Sequence, residues 1–174
     1  MTNLNVDLSR CPIFSGLTPE QLLVIENLCE KEQYAAGDTI IREGEEDQNL
    51  WVILMGRCEV THLTSHRGEQ SLATIETHSV FGEMSFFNRA PHSASVKATV
   101  ETHLLRFPRA KFDQLCEERH TTAHKILANT VKILADRLRA MDRSARDFAE
   151  RASNDDQKQE WSEFRSRMYG GWEF

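Results

Sequence analysis

Nowhere does this sequence stay apolar long enough to cross a bilayer, and its N-terminus lacks the basic-then-apolar pattern of a secretory leader. The cytoplasm is therefore the default expectation. Cys11, Cys29, Cys58 and Cys116 include no Cys-x-x-Cys pair, so no metal or cluster cofactor is expected. Positive charge is also scarce: 21 Lys and Arg stand against 27 Asp and Glu, for a net charge of -6. That balance offers no electrostatic footprint for nucleic acid. There is no Gly-x-Ser-x-Gly elbow and no catalytic constellation, so the chain does not read as an enzyme. His120 and His124 stand four apart at a helix start, a spacing that can hold a metal, but no third ligand accompanies them. A surface pair is the expectation.

What remains is ordinary for a globular protein: 174 residues, 40% of them hydrophobic, enough for one domain and an appendage. After a lead-in over residues 1–17, Thr18-Pro19-Glu20-Gln21 carries an N-cap, a proline at the first helical position and a capping-box partner. Leu22, Ile25 and Leu28 then share a face, which predicts a helix from about Thr18 to Lys31. Short β-type segments follow at Thr39–Arg42, Leu50–Met55, Cys58–Leu63, Leu72–Ile75, Ser95–Ala98 and His103–Phe107. Many short strands with close turns indicate a mainly β sandwich or roll with flanking helices.

Phe81 to Val96 interrupts these strands with a different character. Gly82 allows the backbone to approach a ligand closely. Glu83 is a carboxylate placed to accept bonds from sugar hydroxyls. Met84 to Asn88 can form a short helix whose first amides point outward toward an anion. Pro91 then fixes the chain before His92 and Ser93, and a strand leaves through Ser95, Val96 and Ala98.

Phe81-Gly82-Glu83, Met84, Ser85, Pro91, Ser93, Ala94 and Ser95 fall in register with the phosphate-binding cassette of the cyclic nucleotide-binding domain family. That family includes the bacterial catabolite activator, protein-kinase regulatory subunits and cyclic nucleotide-gated channels. Gly37-Asp38, Ile40 to Gly44 and Leu50-Trp51-Val52-Ile53 to Gly56 extend the resemblance, which spans about Cys11 to Asp142. It implies a β-roll of jelly-roll type over residues 18–120 and a ligand, cyclic AMP or cyclic GMP, held by Phe81, Gly82, Glu83, Met84, Ser85, His92, Ser93 and Ala94. Two positions depart from the family. Glu76-Thr77-His78-Ser79 stands where a glycine-containing turn is usual, and His92 replaces the Arg that grips the cyclic phosphate.

The second departure changes the chemistry. Arginine offers a permanently charged, bidentate fork, whereas histidine offers a single contact that is charged only when protonated. Three outcomes stay open: a weaker cyclic nucleotide site, a site retuned to another nucleotide, or an empty scaffold of the same fold. On the base side, Asp136-Arg137-Leu138 stands where the catabolite activator presents hydroxyls, and Arg137 is a candidate to bond or stack on a base, or a solvated side chain.

A short helix is expected over Pro108 to Cys116, then a long helix over residues 121–153. Leu127, Val131, Leu134, Leu138, Met141, Ala145 and Phe148 alternate steps of four and three, the seam of a coiled coil. Leu127 to Leu134 fit a helix packed on its own barrel equally well; beyond Leu138 a homodimer through this helix is the expected assembly. Residues 154–174 form an aromatic tail, with Trp161, Phe164, Met168, Trp172 and Phe174. Such apolar area covers something: the domain itself, a partner or the nucleotide base. The function expected is a non-catalytic sensor coupling a nucleotide to the long helix; the alternative is a ligand-free interaction scaffold acting through seam or tail. Too few residues follow Ala152 for a helix-turn-helix, so direct DNA binding is not expected.

Overall fold

The computed structural model describes residues 7–64 and 68–151. The chain divides into two compact units, Met1–Val131 and Lys132–Phe174. The aromatic tail lies outside the described residues.

In the first unit, helix α1 (Pro19–Leu28) opens on the expected capping box: Thr18 Oγ1 accepts from Gln21 N–H, while Gln21 Oε1 accepts from Thr18 N–H. The helix stops earlier than its apolar pattern suggests. Cys29 turns extended, and the charged run Glu30–Tyr34 becomes strand β1.

Seven further strands follow: β2 (Thr39–Ile41), β3 (Asn49–Met55), β4 (Arg57–Thr64), β5 (Gly68–Glu76), β6 (Val80–Phe81), β7 (Ser95–Ala98) and β8 (Thr102–Pro108). Among the described residues they form two four-stranded antiparallel sheets, ordered β1-β8-β3-β6 and β2-β7-β4-β5. This is the expected jelly-roll architecture. Strands β1 and β6 are the additions to the sequence reading. The first is polar because its register against β8 places Glu30 opposite Arg106, and the second is only two residues long.

The core lies between the sheets, where Ile41, Trp51, Ile53, Cys58, Phe81, Val96 and Leu104 meet. Burying side chains of this size is worth about 1.5–3 kcal/mol each. Helix α2 (Glu83–Asn88) bridges β6 to β7. Helix α3 (Arg109–Glu117) follows β8, and α4 begins at Thr121.

The turn before β6 solves its lack of glycine with a strained histidine. His78 sits at φ 71°, a left-handed conformation that costs a side-chain residue about 1–2 kcal/mol. It is held there by His78 N–H to Ile53 O at 2.8 Å, by Ile53 N–H to Ser79 O at 2.9 Å and by Ser79 N–H to Glu76 O at 2.9 Å.

Within the first unit, α4 packs Ala123, Ile126 and Thr130 inward and leaves Val131 66% exposed. In the second unit the helix runs on to Arg151, with Leu138 and Met141 exposed. The side chains of Ala145 and Phe148 fall outside the described part. Arg137 belongs to this second unit, on its solvent-exposed surface.

Candidate functional site

Phe81 to Ala94 runs from β6 through α2 to the start of β7, and Gly82 fixes its geometry. At φ 79° it forms the left-handed N-cap of α2, and its carbonyl accepts the first helical bond, from Phe86 N–H at 3.0 Å. A Cβ there would lie 2.8 Å from Asn49 O and 2.8 Å from Trp51 Cε3. The cassette backbone therefore rests directly on β3. Trp51 also stacks on Phe81, with centroids 5.6 Å apart and planes 3° from parallel.

From this seat the side chains diverge. Glu83 and Ser85 are buried, whereas Met84 is 52% exposed at the surface of α2. Ser93 is exposed, its hydroxyl directed at Met84 Sδ 3.8 Å away. Ala94 is half-buried and leads into β7. Of the eight residues expected to hold a ligand, Ser93 and Met84 are the exposed ones.

His92 is turned inward, with its side chain 4% exposed. Ser85 Oγ lies 3.0 Å from His92 Nδ1, and Asp47 Oδ1 lies 3.2 Å from His92 Nε2. The Asp47 approach is off hydrogen-bond alignment, so it is a close contact and not a directed bond, and a charge pair only with a protonated ring. Which of Ser85 Oγ and His92 Nδ1 donates follows from the ring's tautomer. The main chain of His92 is tied as well: Gly44 N–H donates to His92 O at 2.8 Å, and His92 N–H donates to Glu45 O at 3.0 Å. The cassette exit and the β2–β3 loop are one bonded unit.

The sequence reading missed Asp47, and it missed Arg109. Arg109 Nη1 donates to Phe86 O in α2, its guanidinium lies 5.5 Å from the Phe86 ring and 5.6 Å from the Phe112 ring, and Nε meets Asp113 at 2.7 Å. Phe86 and Phe112 in turn pack ring on ring with Phe87 and Phe107. The cassette helix is thereby joined to α3. The available hint for Asp47 was the Asp-x-Asn pattern, since its carboxylate accepts from Asn49 N–H at 3.1 Å in a local turn.

Groups elsewhere have other tasks. His120 Nδ1 accepts from Thr122 N–H at 3.3 Å and so caps the start of α4. Burial pushes the Cys11 thiol up to about 12 and the Cys58 thiol up to about 11, which leaves neither as a ready nucleophile. An open cleft of about 480 Å³ lies beside Arg42, Glu43, Leu63, Glu69, Ser95 and Lys97. Ser95 and Lys97 alternate with the buried Val96 and Ala98, so this cleft is on the other face of its sheet from the core. Its Lys97 ammonium is paired with Glu69 at 2.7 Å. No helix among the described residues is long and apolar enough to cross a membrane.

The profile of the family described as "Cyclic nucleotide-binding domain" matches residues 31–119, just over half of the chain. The "Cyclic AMP receptor protein" of Thermus thermophilus is 32% identical over 133 residues, which cover 75% of this chain and 59% of that protein. A "cAMP-dependent protein kinase regulatory subunit" of Hypocrea atroviridis is 30% identical over 108 residues, covering 62% of this chain and 22% of the relative. The crystal structure of the Thermus thermophilus catabolite activator protein superposes with a TM-score of 0.69 at 28% identity, over 76% of this chain and 61% of that one. The chain thus spans less than two thirds of these relatives. Its jelly roll, its cassette and these matches agree: the chain belongs to the cyclic nucleotide-binding domain family.

Proposed function

We propose that the chain is a non-catalytic, cytoplasmic sensor or regulatory domain that takes cyclic AMP or cyclic GMP at the cassette and passes the event to its C-terminal helices. One observation carries this reading: left-handed Gly82, seated on Asn49 O and Trp51, holds the start of α2 in a closed cassette backbone with Ser93 exposed beside it. Arg109 and the phenylalanine cluster supply the link from α2 to α3. A ligand works such a link only by favouring one arrangement over another. Self-association through Leu127, Val131, Leu134, Leu138, Met141, Ala145 and Phe148 is the proposed readout, and Arg137 is the proposed base contact.

His92 sets the expected affinity. To touch a phosphate it must leave Ser85 and Asp47, so its contact is offset by the bonds it gives up. Replacing a charge-assisted fork worth about 1.5–3 kcal/mol by such a contact weakens binding roughly tenfold to a hundredfold. The same inward His92 favours the second reading, a ligand-free scaffold acting through its helix seam or tail.

Calorimetric titration with both cyclic nucleotides, at about pH 6 and about pH 8 to straddle the ordinary histidine range, separates the two. Binding that tightens at the lower pH supports the sensor with a protonated His92. A silent parent alongside a binding His92→Arg variant supports an intact fold with another ligand or none. Silence from both removes the cyclic nucleotide reading.

A further inference from the structure

Arg106 is out of keeping with its strand. It interrupts β8, where Leu104, Leu105 and Phe107 are all buried, and its own side chain is only 25% exposed. All three of its donor arms are engaged. Nε donates to Glu32 Oε1 at 2.6 Å, Nη1 to Asn49 Oδ1 at 3.1 Å, and Nη2 to Glu30 Oε2. Glu32 in turn accepts from Trp51 Nε1 at 3.3 Å and from the Tyr34 hydroxyl at 3.0 Å.

Two of the residues held in this way, Asn49 and Trp51, are the ones on which Gly82 is seated. The Asn49 side chain also donates to Asp47 Oδ1 at 3.2 Å, the carboxylate that faces His92. One guanidinium on β8 therefore holds the floor of the cassette directly through Asn49, holds its indole through Glu32, and reaches the carboxylate opposite His92 through the Asn49 amide. The planar fork matters because its donors have fixed mutual directions, which a lysine ammonium does not reproduce.

We propose that Arg106 is a positioning residue for the cassette: by fixing Asn49 and Trp51 it sets where the Gly82–Glu83 backbone stands relative to the phosphate and sugar of a bound nucleotide. The ligand half of this statement rests on the nucleotide-binding reading above; the positioning half stands on the contacts alone. Supporting residues of this kind act on a site through geometry, and loosening them costs affinity without removing a ligand contact.

The test uses the full chain as the parent, Arg106→Lys and Arg106→Gln, with two readouts. Backbone-assigned NMR follows the Gly82 amide and the Trp51 indole N–H, the latter identified by its loss in Trp51→Phe. Calorimetry follows cyclic AMP. Arg106→Lys keeps the charge and loses the fork; it is expected to keep the fold by circular dichroism, to move both resonances, and to weaken cyclic AMP about tenfold. Arg106→Gln is expected to do more, and if it fails to fold the Lys variant still decides. A merely structural arginine would lower the melting temperature and leave the Gly82 amide in place, and that result overturns the proposal. Moved resonances with parental affinity overturn the link to the ligand site. A parent that binds neither cyclic nucleotide refutes the nucleotide reading, while the resonances still decide whether Arg106 positions the cassette.

Discussion

Ser85 and Asp47 face the two ring nitrogens of His92 from opposite sides, at 3.0 and 3.2 Å. Where the family pattern has an arginine directed at a phosphate, this chain closes a clasp inside the cassette. The two halves of the clasp are unequal. Ser85 is buried and makes an aligned bond, whereas the Asp47 side chain is 40% exposed and meets the ring off axis. Ser85→Ala is therefore expected to cost about 1–2 kcal/mol, because it strands a buried ring nitrogen. Asp47→Asn is expected to cost under about 1 kcal/mol, as a partly solvated charge contact does. Urea unfolding of the two variants gives the order directly, and the reverse order would sink the clasp.

Gly82 allows a stricter test of the cassette seat. Alanine there meets backbone and indole atoms at 2.8 Å and must also hold φ 79°. The conformation costs about 1–2 kcal/mol by itself, and a carbonyl cannot step aside as a flexible side chain does. Gly82→Ala is expected to destabilise the domain by more than that and to abolish cyclic nucleotide binding. Unfolding together with a cyclic AMP titration checks both parts. A variant as stable as the parent would mean that Gly82 is not seated on β3.

The sequence made the roll legible because its strands are apolar and its turns carry glycine. It also marked the candidate cassette, since Phe81-Gly82-Glu83 and Pro91 stand at fixed spacing. It did not reveal β1, because Glu30, Lys31, Glu32 and Gln33 carry no period-two hydrophobic signal; their strand exists through pairing with β8. Arg106 drew no attention within the apolar segment His103–Phe107. Its meaning required Glu30 and Glu32 from across the sheet and Asn49 from a third strand. The inward turn of His92 was hidden likewise, because it depends on Asp47, a loop residue brought near by main-chain bonds at Gly44 and Glu45.

His78 carries strain that a single substitution can release. In His78→Gly the left-handed φ of 71° costs nothing on the folded side. The unfolded chain gains some freedom in return, which offsets part of the benefit. The net expectation is a stabilisation of about 0.5–1 kcal/mol, read as a higher urea midpoint at unchanged slope. A destabilised variant would mean that the His78 side chain contributes more than its backbone conformation costs.

The proposed pairing through α4 is tested at its exposed apolar positions. In the first unit Val131 is 66% exposed while its neighbours Ile126 and Thr130 are buried, and in the second unit Leu138 and Met141 are 46% and 53% exposed. All three seam positions named here leave apolar surface in water within one chain, and under the proposed self-association a second copy of the same helix covers them. Val131→Asp and Leu138→Asp place charge on that surface without disturbing a packed side chain. Each is expected to shift sedimentation velocity from dimer toward monomer and to change unfolding of the first unit by no more than about 0.5 kcal/mol. A parent that sediments as a monomer at all concentrations, or variants that remain dimeric, would move the assembly surface away from this helix and leave Arg109 and the phenylalanine cluster to report the ligand to α3 alone.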